Sequence, residues 1–317
     1  MSSETPPIDF DSEQSWSMAR RHAAFLSPIP SSVSLSVQTL WANHCTGNRT
    51  DGALEIWPDS FMALRRVDRT AKLKTPIYFA AQALFPDAFA SMQEDDTSDA
   101  LLRILGPGLF ASFLAMVYLH RRLSRVCTAP EWETLSKELV LNMELGYLVG
   151  ESLPKVSPAL GALLGGIRYA SLATFLIRSP DIYTRYRNRM KKKFDLPYEH
   201  QQWGCDHAQV SAYLIKDLGF TKDIIEISKV LRKTPPAGQK LIPEMAVWHS
   251  ALHWIDGIKD GEVPPKSPEH SSTLAASAAN AANVKAKTDE LFRKGSSFGW
   301  MLRKVGGDDA AETEEKK

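Results

Sequence analysis

Tyr198–Phe220 reads YEHQQWGCDHAQVSAYLIKDLGF, and the reading of this stretch decides the fold. Gly204 interrupts one helical pattern, and Asp206 stands where the next helix needs a cap. An Asp there accepts a hydrogen bond from a free backbone N–H, and Gln209, three residues on, completes a variant capping box. Val210, Leu214 and Leu218 recur at helical spacing, with His207 at the start of the same face. Gly219 suits the left-handed position after the last turn, from which Phe220 can fold back on Ile215. The spacing therefore predicts a helix with both ends marked and one imidazole in its first turn.

On both sides the pattern stays helical. Residues 1–25 read as a flexible lead-in with room for a short helix around Glu13–Phe25. The two prolines of Leu26-Ser27-Pro28-Ile29-Pro30 predict extended chain, and Ser31 or Ser32 can cap a helix to about His44. A short helix is predicted to end before Pro58, and another to start at Asp59 or Ser60 with Phe61, Leu64, Val67 and Ala71 on one face. Thr97–Leu105 reads as a capped helix ended by Gly106, followed by a buried helix over Leu109–Val126. Long helices are predicted at Glu131–Glu151 and Ser157–Ile177, then a polar, basic stretch over 180–194. Helices at Lys222–Leu231 and from Ile242 to Lys259 flank a turn at Thr234–Gly238. From Pro264 the composition turns to Ser, Ala, Lys, Glu and Asn. Thr273–Arg293 reads as a solvated helix, and Ser297–Val305 as an amphipathic island, either docked on the body or binding a partner. No stretch alternates as a strand does, so the fold class is all-α.

The 317 residues carry 44% apolar side chains, enough for a sizeable core, and a net charge of +1. That balance points to neither a nucleic-acid nor a membrane partner. Three scattered cysteines without metal-type spacing suit reduced thiols in a cytoplasm. The polar, acidic start is not a secretory signal. The longest apolar run, Leu109–Leu119, is too short to span a bilayer and stops at His120-Arg121-Arg122.

The Tyr198–Phe220 stretch resembles the HDOD family, the HD-related output domains of bacterial signalling proteins. Glu199, Gly204, Asp206, His207, Ala208, Val210, Ala212 and Leu214 match its pattern, with Ser211 where that family prefers Gly. Leu26-Ser27-Pro28-Ile29-Pro30 is similar to its opening phrase, with Ser27 in place of the first proline. Ala100–Gly106 matches its Ala-(Ile/Leu)-x-x-Leu-Gly phrase. The resemblance covers roughly residues 26–260. It implies an N-terminal helical subdomain packed on a degenerate HD-type helical subdomain over 26–262, with 263–317 as a polar tail.

Catalytic HD-superfamily phosphohydrolases hold a metal with histidines and an adjacent His-Asp pair, and the bound water becomes the nucleophile. Set against that pattern, Thr134 stands at the first histidine, Gly165-Gly166 at the His-Asp pair, and Arg232-Lys233 at a later His-His. Glycines offer no ligand atom, and fixed positive charge repels a cation. Only His207 remains, so no metal, no cofactor and no catalysis are expected. Glu199 and His200, before the helix break, read as surface.

Two candidate sites follow. Thr134, Gly165, Gly166, His207, Arg232 and Lys233 would line a former metal pocket fit for a phosphate or nucleotide, through backbone donors and positive charge. Alternatively, the glycines let two helices approach closely. Arg185, Arg187, Arg189, Lys191, Lys192 and Lys193, interleaved with Tyr186, form a basic patch suited to an acidic protein partner; nucleic acid is not expected. The resemblance implies a cytoplasmic regulatory protein that acts by contact with signalling proteins. A nucleotide sensor and a divergent phosphohydrolase are the alternatives.

Overall fold

The computed structural model describes residues 9–50, 53–68, 71–92, 97–190, 193–233 and 241–302. The helices run in chain order as α1 (Glu13–Ala23), α2 (Ser31–Thr46), α3 (Pro58–Asp68), α4 (Ala71–Leu84), α5 (Pro86–Ala90), α6 (Thr97–Val126), α7 (Glu131–Ser152) and α8 (Pro158–Arg178). They continue as α9 (Pro180–Met190), α10 (Leu196–Trp203), α11 (His207–Leu218), α12 (Ile224–Arg232), α13 (Pro243–Lys259), α14 (Pro268–Thr273) and α15 (Ala278–Lys294), closed by a 3-10 segment at Ser297–Leu302. Among the described residues the strand content is one antiparallel pair, Arg49–Thr50 against Ala53–Leu54. The fold is all-α. That small pair and extended chain occupy the place where a short helix was expected before Pro58.

The core is built around α8, in which every residue from Ala159 to Leu176 is buried. Its closest neighbour is α7, joined by a short loop and therefore antiparallel. The two helices touch backbone to backbone. A Cβ at Gly161 would lie 1.9 Å from the Gly146 carbonyl oxygen, and one at Gly165 1.9 Å from that of Asn142. Gly146 and Gly150 on α7, and Gly161 and Gly165 on α8, each recur at four residues, so small positions align along one ridge of each helix. Helices α6, α11 and α13 pack against this pair, and α2 packs on α6.

α11 has the ends its sequence specifies. The Asp206 carboxylate accepts from the Gln209 N–H at 2.9 Å, and the Gln209 side chain accepts from the Asp206 N–H at 3.2 Å. Gly219 is left-handed (φ 96°), and the Phe220 N–H donates to the Ile215 carbonyl, five residues back. Ser211, where the HDOD pattern has Gly, meets Ser171 of α8 through a 2.5 Å hydroxyl contact.

The helices expected on either side of Gly106 are both present: α6 consists of two helices that meet at a kink, where Gly106 takes the non-helical φ 70° and ψ 160° ahead of Pro107. Other boundaries differ from the sequence reading. Residues 9–25 are no loose lead-in: α1 buries Ala19, His22 and Ala23. The Gln209 amide donates to the Phe10 carbonyl and to the Ser15 hydroxyl, each at 2.9 Å. The polar tail is also part of the body as far as Leu302. α15 buries Ala281, Val284 and Leu291 rather than being solvated all round. Phe298, fully buried, meets Phe113 and Tyr147, and the Ser297 N–H and hydroxyl donate to Glu144 at 3.1 and 2.6 Å. The amphipathic island is docked on its own chain. The expected turn at Thr234–Gly238 lies outside the described residues.

Two helical stretches, Ser98–Val126 and Pro158–Arg178, have the length and hydropathy to cross a membrane, longer than the run read from sequence. Of their apolar windows, 78% and 94% are buried inside the fold, as in core helices.

Candidate functional site

The site begins with a problem set by α8. Arg168 lies in its fully buried span, and an unpaired guanidinium there would be prohibitively unfavourable. Its partner comes from α13, 88 residues on. Arg168 donates two bonds to the Asp256 carboxylate, Nη1 to Oδ2 at 3.0 Å and Nη2 to Oδ1 at 2.5 Å. Lys233, the left-handed residue that closes α12, adds an ammonium to Asp256 Oδ2 at 2.9 Å. Burial alone would raise the Asp256 carboxyl, but Arg168 and then Lys233 outweigh it and hold it well below the usual carboxylate range. The guanidinium also lies 4.7 Å from the Phe194 ring centroid, and Phe194 stacks on the His207 imidazole at 4.0 Å.

His207 is locked from behind. Glu199, fully buried, accepts from the His207 backbone N–H at 2.7 Å and meets its Nδ1 at 2.8 Å. Its other oxygen accepts from the Tyr186 hydroxyl. Burial first, then the Glu199 charge and hydrogen bond, push that phenol far above its ordinary range, so Tyr186 stays a donor. The Nε2 of His207 is buried and has no hydrogen-bond partner among the described residues. Beside it, Asp206 holds His200 Nε2 at 3.0 Å and Arg232 Nε at 2.8 Å. Burial would raise the Asp206 carboxyl, and His200 and Arg232 lower it further than burial lifts it. Arg232 is tied to the N-terminal segment as well, through Asp11 at 2.9 Å and the Phe10 carbonyl at 3.0 Å.

These groups border a cavity of about 720 Å³ lined by Phe10, Arg168, Arg189, Lys193, Phe194, Asp195, Leu196, Pro197, His207, Leu231, Arg232, Lys233, Asp256, Lys259 and Asp260. Its cationic side chains outnumber its carboxylates by six to three. Lys259 donates to the Tyr169 hydroxyl, and burial lowers its ammonium below the usual lysine range, with Asp256 opposing.

A solved HDOD domain protein of unknown function from Geobacter sulfurreducens matches 91% of this chain and 97% of its own, with a TM-score of 0.60 at 12% sequence identity. The chain has the HDOD fold. A provisionally named phosphohydrolase from Shewanella amazonensis SB2B shares that fold, with a TM-score of 0.58 over 90% of this chain and 98% of its own, again at 12% identity. No family model and no curated protein matches the sequence.

Within this HDOD fold the residues singled out from sequence separate into two groups. His207, Arg232 and Lys233 meet at the cavity. Thr134 is exposed on α7 and does not line it. Gly165 faces the α7 backbone, and a Cβ at Gly166 would meet Met116 Cε at 2.6 Å, so the glycines serve helix approach and present no N–H groups to a ligand. The basic patch is divided too. Arg187 is engaged by Glu138 through bonds of 2.7 and 2.5 Å, and is no free docking charge. Arg185 is exposed, while Arg189, paired with Asp195 at 2.7 Å, and Lys193 stand on the cavity wall. Lys191 and Lys192 lie outside the described residues. Of Glu199 and His200, both expected at the surface, Glu199 is buried, and His200 is half-buried with its side chain turned in to Asp206.

Sequence reasoning missed Arg168, Asp256, Lys259 and Glu199. An arginine in the middle of the apolar helix SPALGALLGGIRYASLATFLI was the available signal, because such a charge demands a buried partner. It also missed a second basic cluster. Arg121, Arg122 and Arg125 border a 270 Å³ cavity with Tyr118, and the Arg121 terminal nitrogens have no hydrogen-bond partner among the described residues.

Proposed function

We propose that the protein is a non-catalytic regulatory protein of the HDOD type, acting through contacts with signalling proteins, with its cavity as a sensor for a phosphate-bearing ligand. The observation that carries this reading is the Arg168–Asp256–Lys233 cluster at the cavity floor. A carboxylate already neutralised by a guanidinium and an ammonium has little to offer a divalent cation. The excess of cationic over anionic side chains around the cavity favours an anion instead. The Phe194 and Phe10 rings give such a ligand an apolar wall, as a nucleotide base requires.

The test is calorimetry with inorganic phosphate and with adenine and guanine nucleotides on the wild type, Lys193→Ala and Lys259→Met. Binding by the wild type and at least several-fold weaker binding by both variants is the expected result. No heat with any ligand removes the sensor role. Assay of phosphate-ester hydrolysis with manganese or magnesium tests the other half. Turnover that disappears in His207→Ala would establish the divergent phosphohydrolase in place of a non-catalytic regulator.

A further inference from the structure

Three histidines meet between α13 and α14. His249 and His253 stand four residues apart on α13 and so share one face, and His270 comes from α14. One ring nitrogen from each lies within 4.8 Å of the other two. The rings form a compact set, with centroids 4.6 Å apart for His249 and His253, 5.4 Å for His249 and His270, and 3.9 Å for His253 and His270. His249 and His270 are buried, and His253 is half-buried, which leaves one side of the set within reach of solvent.

The donor atoms suit a metal. The Nε2 atoms of His249 and His253 are buried and have no hydrogen-bond partner among the described residues. A buried ring nitrogen without a protein partner keeps its lone pair available to a metal. His270 Nδ1 lies 3.4 Å from the Ser250 hydroxyl, and its Nε2 lies 3.8 Å from Glu269 Oε1. The charges facing the set are Lys233, Glu269 and Asp256, and the Lys233 ammonium is itself paired with Asp256 at 2.9 Å. Imidazole sets of this kind select zinc and its late first-row neighbours, with metal–nitrogen lengths of about 2.0–2.1 Å. Ligand nitrogens around a tetrahedral ion are then roughly 3.3 Å apart, so small rotations of these side chains would close the site.

We propose that His249, His253 and His270 form a binding site for a divalent metal ion of the zinc type, with the fourth position open to water. The ion fastens α14 to α13 across the intervening 260–267 segment. It also bears on the cavity, because His253 and Asp256 stand three residues apart on α13 and Asp256 holds the Lys233 side chain.

The test uses the full chain without an affinity tag, stripped with a chelator and reloaded. Wild type is expected to bind one zinc per chain, to give a visible d–d band with cobalt(II), and to melt several degrees higher when loaded. His253→Ala and His270→Ala should each weaken zinc binding by at least 100-fold, and His207→Ala should leave it unchanged. Zinc at background level in the reloaded wild type overturns the site without recourse to any variant. Binding lost in His207→Ala and kept in His253→Ala overturns it as well, and would place the ion in the cavity. That result also counts against the non-catalytic reading above, whereas a failure of anion binding leaves the histidine site standing.

Discussion

The cavity beside His207 and the histidine cluster on α13 and α14 treat ligand atoms in opposite ways. At the cavity the carboxylates near His207 are already engaged: Asp256 has Arg168 and Lys233, Asp206 has Arg232, and Glu199 has the Tyr186 hydroxyl and His207 itself. At the cluster, three imidazoles face one another, and two Nε2 atoms have no partner among the described residues. Proximity of His, Asp and Glu therefore does not make a metal site. What decides it is whether the lone pairs are already spent on protein donors. Sharing the HDOD fold with a provisionally named phosphohydrolase says nothing about that point, because it depends on side chains that 12% identity leaves free to change.

Four measurements would break or sharpen this contrast. The largest effect is expected from Gly165→His, which puts an imidazole where the HD pattern has its histidine. The new Cβ would lie 1.9 Å from the Asn142 carbonyl oxygen, so the loss exceeds the roughly 1–3 kcal/mol of ordinary overpacking. Circular dichroism should find the variant unfolded or grossly destabilised; a stable variant would mean that α7 and α8 can part. Next is Asp256→Ala, which strands Arg168 in the core and should lower the unfolding free energy by about 3–5 kcal/mol in denaturant titrations. A loss under about 1 kcal/mol would show that the pair is not the anchor of the cavity.

Acid should separate imidazoles from carboxylates. Burial, with Arg178 and Arg121 respectively, lowers His22 and His120 to about 4. A histidine with a depressed folded pKa stabilises fully above its unfolded value of 6.5 and loses that contribution as pH falls toward 4. Each should remove up to roughly 1.4 kcal/mol per pH unit in that window. Asp256, held down by Arg168, should contribute acid sensitivity only below its unfolded value of 3.8. Stability curves of His22→Gln and Asp256→Asn against pH would resolve the two windows, and a flat wild-type profile from pH 6.5 to 4 would contradict the histidine assignment. The smallest effect is expected from Arg189→Ala, whose side chain is 63% exposed in its pair with Asp195. Stability should not change measurably, because an exposed pair is screened by solvent, while anion binding at the cavity wall weakens a few-fold.

What the sequence made legible was local. The capping box at Asp206 and Gln209, the left-handed glycines at 204 and 219 and the apolar face between them involve residues within one or two turns, and each stands as read. What it hid was distant. Arg168 and Asp256 meet across 88 residues, and nothing near Asp256 marks it as a partner. Glu199 looked like surface because its neighbours are polar, yet Tyr186 and His207 close over it from two other helices. The histidine cluster was half visible. The spacing of His249 and His253 is a helical pair, but His270 joins it only through the turn into α14. The four-residue glycine spacing in α7 and α8 could have told that Gly165 serves packing rather than a pocket.

That seam has a historical consequence. Two helices that have settled with main chains in contact cannot be reopened by one substitution, since any side chain at 165 meets a carbonyl before it meets a ligand. A lineage that adopts such a seam has passed through a one-way gate. It can recruit a new ion, as the imidazoles of α13 and α14 would, but it has to begin from different helices.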